Sequence, residues 1–296
     1  MKRFLTALLI GVVFAGAAQG EMMHRYDFLS DVQDSIGGAH GILVDPLSIA
    51  TFAGGRLHLN NSGIENSNQS PFTVGAYVNL PNGIISALGP VATFEIWTTY
   101  RGNNSWEQIY SFGINGGGED QATCLSGPNP TAFVMLCPQD NAGVLRFQEY
   151  PGGVIQDSTR LQSDVEEVLF LTFDSDGVMT AYRNGQLIGS ATTVNSLPNL
   201  NDVNNWLGRS QCGDPLYEGA YNELRIYNEI RSEYELKADL LAGPDASPAS
   251  VVYPADGATG VSQNPTLEWA EGPVEPNDVI GYKIFIGDTD ANNVWM

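Results

Sequence analysis

Carboxylates are the most abundant side chains in this sequence that could do chemistry, since 34 Asp and Glu residues face 13 Lys and Arg residues. Retaining hydrolysis of a glycosidic bond needs two carboxyl groups about 5 Å apart. On one strand such groups must occupy alternate positions to share a face, as in an E-x-D-x-x-E run, and the sequence has no such run. Glu166 and Glu167 are adjacent, while Glu119 and Asp120 lie in a glycine-rich stretch. We interpret these acids as solvated groups of an acidic protein.

Other catalytic motifs are missing as well. All three histidines lie in the first 60 residues, and the nearest approach to a G-x-S-x-G elbow, residues 208–212, has Cys212 where glycine is required. The H-E-x-x-H, C-x-x-C, G-x-x-x-x-G-K and G-x-G-x-x-G motifs are absent. Residues 288–292 imitate the start of an EF-hand loop, but Asn293 replaces its glycine. The sequence leaves enzymatic activity open and favours a non-enzyme.

Aromatic side chains beside turns are the candidates for binding a sugar, because pyranose C–H surfaces stack on the electron-rich face of an aromatic ring. Four residues meet this description: Trp106, Tyr150, Trp206 and Tyr217. The alternative for each of them is packing in a core, which is the commoner fate of an aromatic residue in a β-sandwich. We assign Trp97 to the core.

The first 20 residues are typical of a secretory signal peptide. Lys2 and Arg3 precede an apolar run over 4–18, and an A-x-G pattern ends before Glu21. An apolar run of about 15 residues is shorter than the roughly 20 that a membrane-spanning helix needs. We therefore expect a secreted or cell-surface protein.

An oxidising destination makes the three cysteines candidates for a disulfide bond. Cys124 and Cys137 bracket a loop rich in proline and glycine, and closing it would stabilise the fold by about 3 kcal/mol in the chain-entropy model. We favour that pair and leave Cys212 free. Three unpaired thiols are the alternative, because a sequence does not fix connectivity.

The net charge of −21 excludes some classes of partner. Nucleic-acid binding requires a surface that neutralises phosphates, which this composition does not supply. Only three lysines occur, so polybasic attraction to anionic lipids is also excluded. The expected partners are a glycan or an extracellular or cell-surface protein, without insertion into a membrane.

Short β-type runs separated by turn residues recur between about 22 and 242, and they predict an all-β fold. The clearest element is a three-strand meander over 168–173, 178–183 and 186–193, because Asp-Gly and Asn-Gly dipeptides supply the positive φ angles of tight turns. Five further strands are predicted over 74–80, 92–100, 108–113, 131–137 and 144–149. A capping box of Ser232 and Glu235 predicts one short helix.

Several segments together resemble the laminin-G-like domains of the concanavalin A-like lectin and glucanase superfamily. They occur in the family's order at 26–28, 34–41, 77–81, 94–97, 181–189, 207–209 and 219–228. The most specific is the last, Gly219-Ala-Tyr-Asn-Glu-Leu-Arg-Ile-Tyr-Asn228, which is similar to the family's G-x-x-D-E-V-R-I-Y-N strand. The resemblance implies a two-sheet antiparallel jelly-roll sandwich over 22–242.

The resemblance also implies a structural calcium ion, since jelly rolls often tie their first and last strands together with one. Its ligands would be Asp34, a main-chain carbonyl near Gly37, and Asn222 or Glu223. Asn222 stands where the family usually has Asp, which weakens such a site. The alternative is that Asp34 starts a turn and Asn222 bonds a neighbouring loop.

After a linker at 243–248, residues 249–296 resemble the start of a fibronectin type III or immunoglobulin-like module, and 48 residues are too few for a complete sandwich. We therefore predict a signal peptide at 1–20, a jelly roll at 22–242 and an incomplete second β module. The predicted function is non-catalytic recognition of carbohydrate or extracellular matrix. The alternatives are a glycan-active enzyme of the same fold, with acids from separate strands, and a structural spacer in a larger surface protein.

Overall fold

A computed structural model of the chain describes residues 21–62, 64, 75–244, 250–253, 268–270, 286–287 and 294–295. The predicted signal peptide at 1–20 and most of the predicted linker at 243–248 lie outside the described residues.

Two antiparallel sheets form a β-sandwich, as predicted from the sequence. Sheet A has eight strands: β1 (Met22–Tyr26), β3 (Thr51–Phe52), β4 (Leu57–Leu59), β6 (Ala92–Tyr100), β11 (Glu166–Phe173), β12 (Val178–Arg183), β13 (Gln186–Thr192) and β15 (Gly219–Tyr227). Sheet B has seven strands: β2 (Ile42–Val44), β5 (Tyr77–Leu80), β7 (Tyr110–Ile114), β8 (Ala132–Cys137), β9 (Arg146–Tyr150), β10 (Val154–Gln156) and β14 (Asn204–Leu207).

The order of the strands is that of a jelly roll rather than a simple meander. Sheet A runs β13-β12-β11-β6-β15-β4-β3, and β1 also pairs with β15. Sheet B runs β10-β9-β8-β7-β14-β5-β2. Because β15 pairs with β6, β4 and β1, one late strand joins the first part of the chain to its middle. Stability therefore depends on pairings between residues far apart in the sequence.

Alternation of side chains along the strands builds the core between the sheets. On β6, Phe94 and Ile96 are buried between the sheets, and on β8 Val134 and Leu136 face them from the other side. The ring of Phe94 packs edge-on against Phe112 of β7, with their centroids 5.8 Å apart. The residues between these positions point to the two outer faces.

The predicted meander is confirmed, with β11, β12 and β13 paired in sequence. Its turns place Gly177, Asn184 and Gly185 at positive φ angles of 77°, 51° and 73°, which glycine and asparagine adopt at low cost.

The predicted helix is α1 (Glu233–Ala242), and its capping box is present: the Ser232 side chain accepts from the Glu235 N–H, while the Glu235 carboxylate accepts from the Ser232 N–H. Leu236 packs on Trp97 and Phe170 on the outer face of sheet A. Trp97 is thus buried, as predicted, but between sheet A and α1 rather than between the sheets.

Beyond residue 244 the structure describes four short strands in two separate pairs. These are β16 (Ser250–Tyr253) with β17 (Glu268–Ala270), and β18 (Ile286–Gly287) with β19 (Val294–Trp295). The remainder of the predicted fibronectin-like segment lies outside the described residues, and the described strands give that resemblance no support.

Candidate functional site

The outer face of sheet B is the part of the sandwich best suited to contact a partner. The core takes Val134, Leu136 and Phe147, so the residues between them point outward. Three outward pairs lie directly opposite one another across β8 and β9: Phe133 with Tyr150, Met135 with Gln148, and Cys137 with Arg146.

One half of this face is covered by loops. The loop after β7 places Ala122 against Tyr77 and Trp206, and all three are buried. The Arg209 guanidinium lies 3.9 Å from the centroid of the Trp206 ring and 4.9 Å from that of Tyr77. Arg209 also donates to the Tyr77 hydroxyl and to the Asp120 carbonyl. The stack of Arg209 on two rings fixes the loops to the sheet.

A disulfide bond between Cys124 and Cys212 joins the two loops that form this cover. The predicted Cys124–Cys137 pair is therefore wrong, and Cys137 is the free, buried cysteine. The physical reason is that the chain turns back after β14. The Gln211 side chain accepts hydrogen bonds from the amides of Asn115 and Asn204, which fixes the loop after β14. The Cys124 N–H donates to the main-chain carbonyl of Gln211 at 3.0 Å, so Cys212 lies next to Cys124.

The other half of the face carries the candidate site, which we call the platform and define as Trp106, Arg146, Gln148 and Tyr150. Trp106, Arg146 and Tyr150 are half-buried, whereas Gln148 is 9% exposed. The Arg146 guanidinium lies 5.4 Å from the centroid of the Trp106 ring. Tyr150 stacks on Phe133 with 5.1 Å between ring centroids. Two rings are thereby held in fixed positions at the surface of one sheet.

Hydrogen bonds fix the polar members of the platform. Arg146 donates from Nε and Nη2 to the side-chain amide oxygen Oε1 of Gln148 at 3.2 and 3.1 Å. Its Nη1 lies 3.4 Å from Oδ2 of Asp140, and the Gln156 amide donates to the same oxygen at 2.5 Å. These planar groups are pre-oriented, so a ligand would not have to order them on binding.

The structure separates the four predicted aromatic residues into two groups. Trp106 and Tyr150 lie on the platform. Trp206 has its ring on the same face but is completely covered by the loops, and Tyr217 lies inside the core, where its ring packs on Tyr100 and Tyr221. Their burial is at odds with the prediction that Trp206 and Tyr217 contact a ligand. Proximity to a turn does not reveal which loop folds over a face.

Sequence reasoning missed Arg146 and Gln148. The signal available was the alternation of Arg146, Gln148 and Tyr150 along a predicted strand, since alternate residues share a face. That pattern identifies one polar and aromatic face but not which sheet carries it.

The residues predicted to bind calcium are engaged in other contacts. Asp34 accepts from the main-chain N–H groups of Arg25, Ile36, Gly37 and Ala39, and its Oδ2 pairs with His24 at 2.7 Å. Burial alone would raise the pKa of Asp34, but the bonds from His24 and the main chain outweigh it and hold the pKa well below its usual value. Gly37 approaches so closely that a Cβ there would clash with Asp34.

Glu223 and Asn222 are likewise bound to protein groups. Arg25 donates to both oxygens of Glu223 at 2.8 and 3.3 Å, and Arg225 donates to it as well. Asn222 is the extra residue of a β-bulge. Its Nδ2 donates to Glu166 at 2.9 Å, whereas its Oδ1 is buried without a hydrogen-bond partner among the described residues. Calcium needs free oxygen ligands, and the described residues hold no group of three or more His, Cys, Asp or Glu side chains arranged for a metal. The oxygens of Asp34 and Glu223 already accept hydrogen bonds, and one neutral amide oxygen from Asn222 is too few, so this donor set does not fit the predicted calcium site.

Two buried carboxyl groups, Glu95 and Glu107, and the half-buried Asp214 have raised pKa values, as an acid catalyst would need. Burial raises the pKa of Glu95 to about 7, and it also raises those of Glu107 and Asp214. Glu95 lies on sheet A and binds Arg225, on the opposite side of the sandwich from the platform. Glu107 accepts from the N–H groups of Asn104 and Glu218, and so holds two loops together.

A separate depression of about 590 Å³ lies at one end of the meander. Arg160 and Arg183 both line it, and Arg183 is bound by Glu167 and Asp157. No aromatic ring lines this depression, so it lacks a stacking surface, and we regard the platform as the better candidate.

Comparison with known families gives a match over more than half of the chain. The Laminin_G_3 model, described as "Concanavalin A-like lectin/glucanases superfamily", matches residues 72–237. No curated protein matches the sequence significantly. Within the described residues, no helix is both long and apolar enough to cross a membrane.

Two solved structures illustrate the similarity of fold. Domain 4 of AbnA, an extracellular GH43 arabinanase from Geobacillus stearothermophilus solved in complex with arabinotriose, is 19% identical with a TM-score of 0.55. The match covers 74% of this chain and 98% of that domain. Trypanosoma rangeli sialidase, in complex with 2,3-difluoro-KDN, is 15% identical with a TM-score of 0.54, and the match covers 75% of this chain but 32% of the sialidase.

Proposed function

The chain belongs to the concanavalin A-like lectin/glucanases superfamily, and we propose that its β-sandwich is a non-catalytic carbohydrate-binding module whose site is the platform. The observation that carries the proposal is the half-buried ring of Trp106 beside Arg146, on a face where amide and carboxylate groups are already oriented. A sugar offers C–H surfaces to a ring and hydroxyl groups to planar polar side chains.

The similarity in fold to the arabinanase domain supports this proposal. That domain was solved with an oligosaccharide, and the match spans nearly all of it, so the fold shared with our chain is a module of its own within a larger enzyme. The sialidase match covers about a third of that protein. We therefore carry over to this chain the role of an accessory domain rather than a hydrolytic activity.

The positions of the acids favour binding over hydrolysis. An acid and a nucleophile must flank one bond about 5 Å apart in the retaining mechanism. Glu95 is completely buried beside Trp97 and Arg225, Glu107 accepts main-chain hydrogen bonds that hold loops, and Asp214 accepts a hydrogen bond from the Ser210 hydroxyl. Hydrolysis of a glycan by the purified chain would nevertheless restore the enzyme alternative.

We propose that the module works outside the cell, at a surface or in a matrix. The disulfide bond between Cys124 and Cys212 suits an oxidising compartment. A protein partner in the matrix and a purely structural spacer are the competing roles, and both predict that no glycan binds.

A glycan array probed with residues 21–244 tests the proposal. We expect binding that the Trp106→Ala and Tyr150→Ala variants each weaken by at least about tenfold, because aromatic anchors carry much of the energy of such contacts. Tyr234→Ala is the matched control, since this half-buried tyrosine lies on α1, on the other side of the sandwich. Binding that survives both platform variants, or no binding to any glycan, would reject the proposal.

A further inference from the structure

We infer that the ligand of the platform is an uncharged oligosaccharide, more than one sugar ring long, rather than an acidic glycan. This inference rests on the proposed function and adds the chemical class of the ligand. Two features of the described residues carry it: the balance of charge around Arg146 and the length of the platform.

The charge of Arg146 is balanced by a neighbouring acid. Arg146 is the single cation of the platform, and its Nη1 lies 3.4 Å from Asp140, which is 3% exposed. An acidic glycan would have to displace this partner and leave a buried carboxylate beside its own negative charge. Such like-charge contacts are a strong barrier to binding.

The surroundings add no surplus of positive charge. Cys137 lies directly opposite Arg146, and two acids, Asp140 and Asp214, lie near its thiol. Burial is the main cause that raises the pKa of this thiol to about 12, and the negative charges of the two acids add to the effect. Arg160 is the other cation nearby, and its Nη1 donates to the amide oxygens of Asn103 and Gln139. Two acids and two bases leave the region without net positive charge, in a chain whose net charge is −21. Uronate or sialate polymers would therefore be repelled.

The length of the platform sets the size of the ligand. Arg146 and Tyr150 are the two ends of β9, and four residues of extended strand span roughly 13 Å. Because Trp106 lies against the Arg146 end and Tyr150 stacks at the other, a ligand touching both rings must be longer than a monosaccharide.

Affinity electrophoresis of residues 21–244 tests the inference with three probes of different charge: an uncharged arabinan, an amine-bearing chitosan and a polygalacturonate. Each is run at about 0.05 M and about 0.5 M salt, which shortens the Debye length severalfold. We expect retardation by the uncharged polymer that salt changes by less than about threefold, and tighter binding of its tri- to hexasaccharides than of the monosaccharide. Arg146→Gln, which keeps a planar polar group, should weaken this binding by no more than about fivefold.

The Asp140→Asn variant provides a gain of function. Removing the balancing charge should let Arg146 bind polygalacturonate at low salt, and high salt should abolish that binding. Circular dichroism checks that Asp140→Asn folds. If it does not fold, the inference is tested by the effect of Arg146→Gln and by the salt dependence of wild-type binding. Salt-sensitive binding of wild type to polygalacturonate in preference to the uncharged polymer would overturn this inference but leave the proposed function intact. Binding to chitosan has the same meaning only if Trp106→Ala removes it, because the net charge of −21 attracts a polycation to the whole surface. Absence of binding to every glycan on the array would instead reject the proposed function.

Discussion

Removing the disulfide bond between Cys124 and Cys212 should destabilise the sandwich by an amount that identifies the pairing. The bond joins residues 88 apart in the sequence. In the chain-entropy model a loop of that length gives about 4.5 kcal/mol, whereas the shorter loop that Cys124 and Cys137 would close gives about 3 kcal/mol. We therefore expect Cys212→Ser to lower the free energy of unfolding by about 4.5 kcal/mol, as an upper value, because strain and residual structure reduce such effects.

Urea unfolding of residues 21–244 at neutral pH measures this difference, and thiol titration in denaturant shows which cysteines are paired. Wild type should release one thiol per chain, Cys137, and only after unfolding, because that side chain is buried. Cys212→Ser should release two. Cys137→Ala is the control: it keeps the disulfide bond, and the small cavity lowers the free energy of unfolding by about 1 kcal/mol. If Cys137→Ala frees a second thiol while Cys212→Ser does not, our account of the loops is wrong.

Three further predictions concern ionisable groups. Asp34→Asn should lower the free energy of unfolding by about 3 kcal/mol at pH 7, because an amide does not replace a carboxylate that accepts several charge-assisted hydrogen bonds. Since the native pKa of Asp34 is depressed, this difference, measured by urea unfolding, should shrink as the pH falls below about 4. Burial raises the native pKa of Glu95 to about 7, so ionisation of Glu95 destabilises the fold as the pH rises from about 4.5 to 7. Over that window the free energy of unfolding of Glu95→Gln should rise relative to that of wild type by on the order of 3 kcal/mol. A difference that stays constant with pH would contradict this prediction. Calcium or a chelator should leave the melting temperature unchanged, because the oxygens of Asp34 and Glu223 already accept N–H donors, whereas a calcium-dependent rise would restore the predicted metal site.

Short-range sequence patterns were sufficient to predict the meander, strand β6 and the start of α1. The Asp-Gly and Asn-Gly turns fixed the meander, and the strand predicted over 92–100 is β6 with the same bounds. The capping box of Ser232 and Glu235 placed the start of α1 correctly. In each case the determining interactions lie within a few residues, so no tertiary information was needed.

The candidate site depended on information that is not local. Whether Trp206 binds a ligand is decided by Ala122 and Arg209, which reach it only because the chain reverses after β14. The pairing of Cys212 has the same origin. The short strands β3 and β10 were not predicted either, because two or three residues carry no readable periodicity and are held by their neighbours in the sheet.

The helix α1 makes the two outer faces of the sandwich different. Leu236 seals one outer face, and the Gly243 carbonyl just beyond the helix accepts a hydrogen bond from Arg225 on that same side. Residues 243–244 therefore lie on the α1 side, whereas Trp106 and Tyr150 lie on the outer face of the opposite sheet. A long polymer bound to the platform would not meet α1.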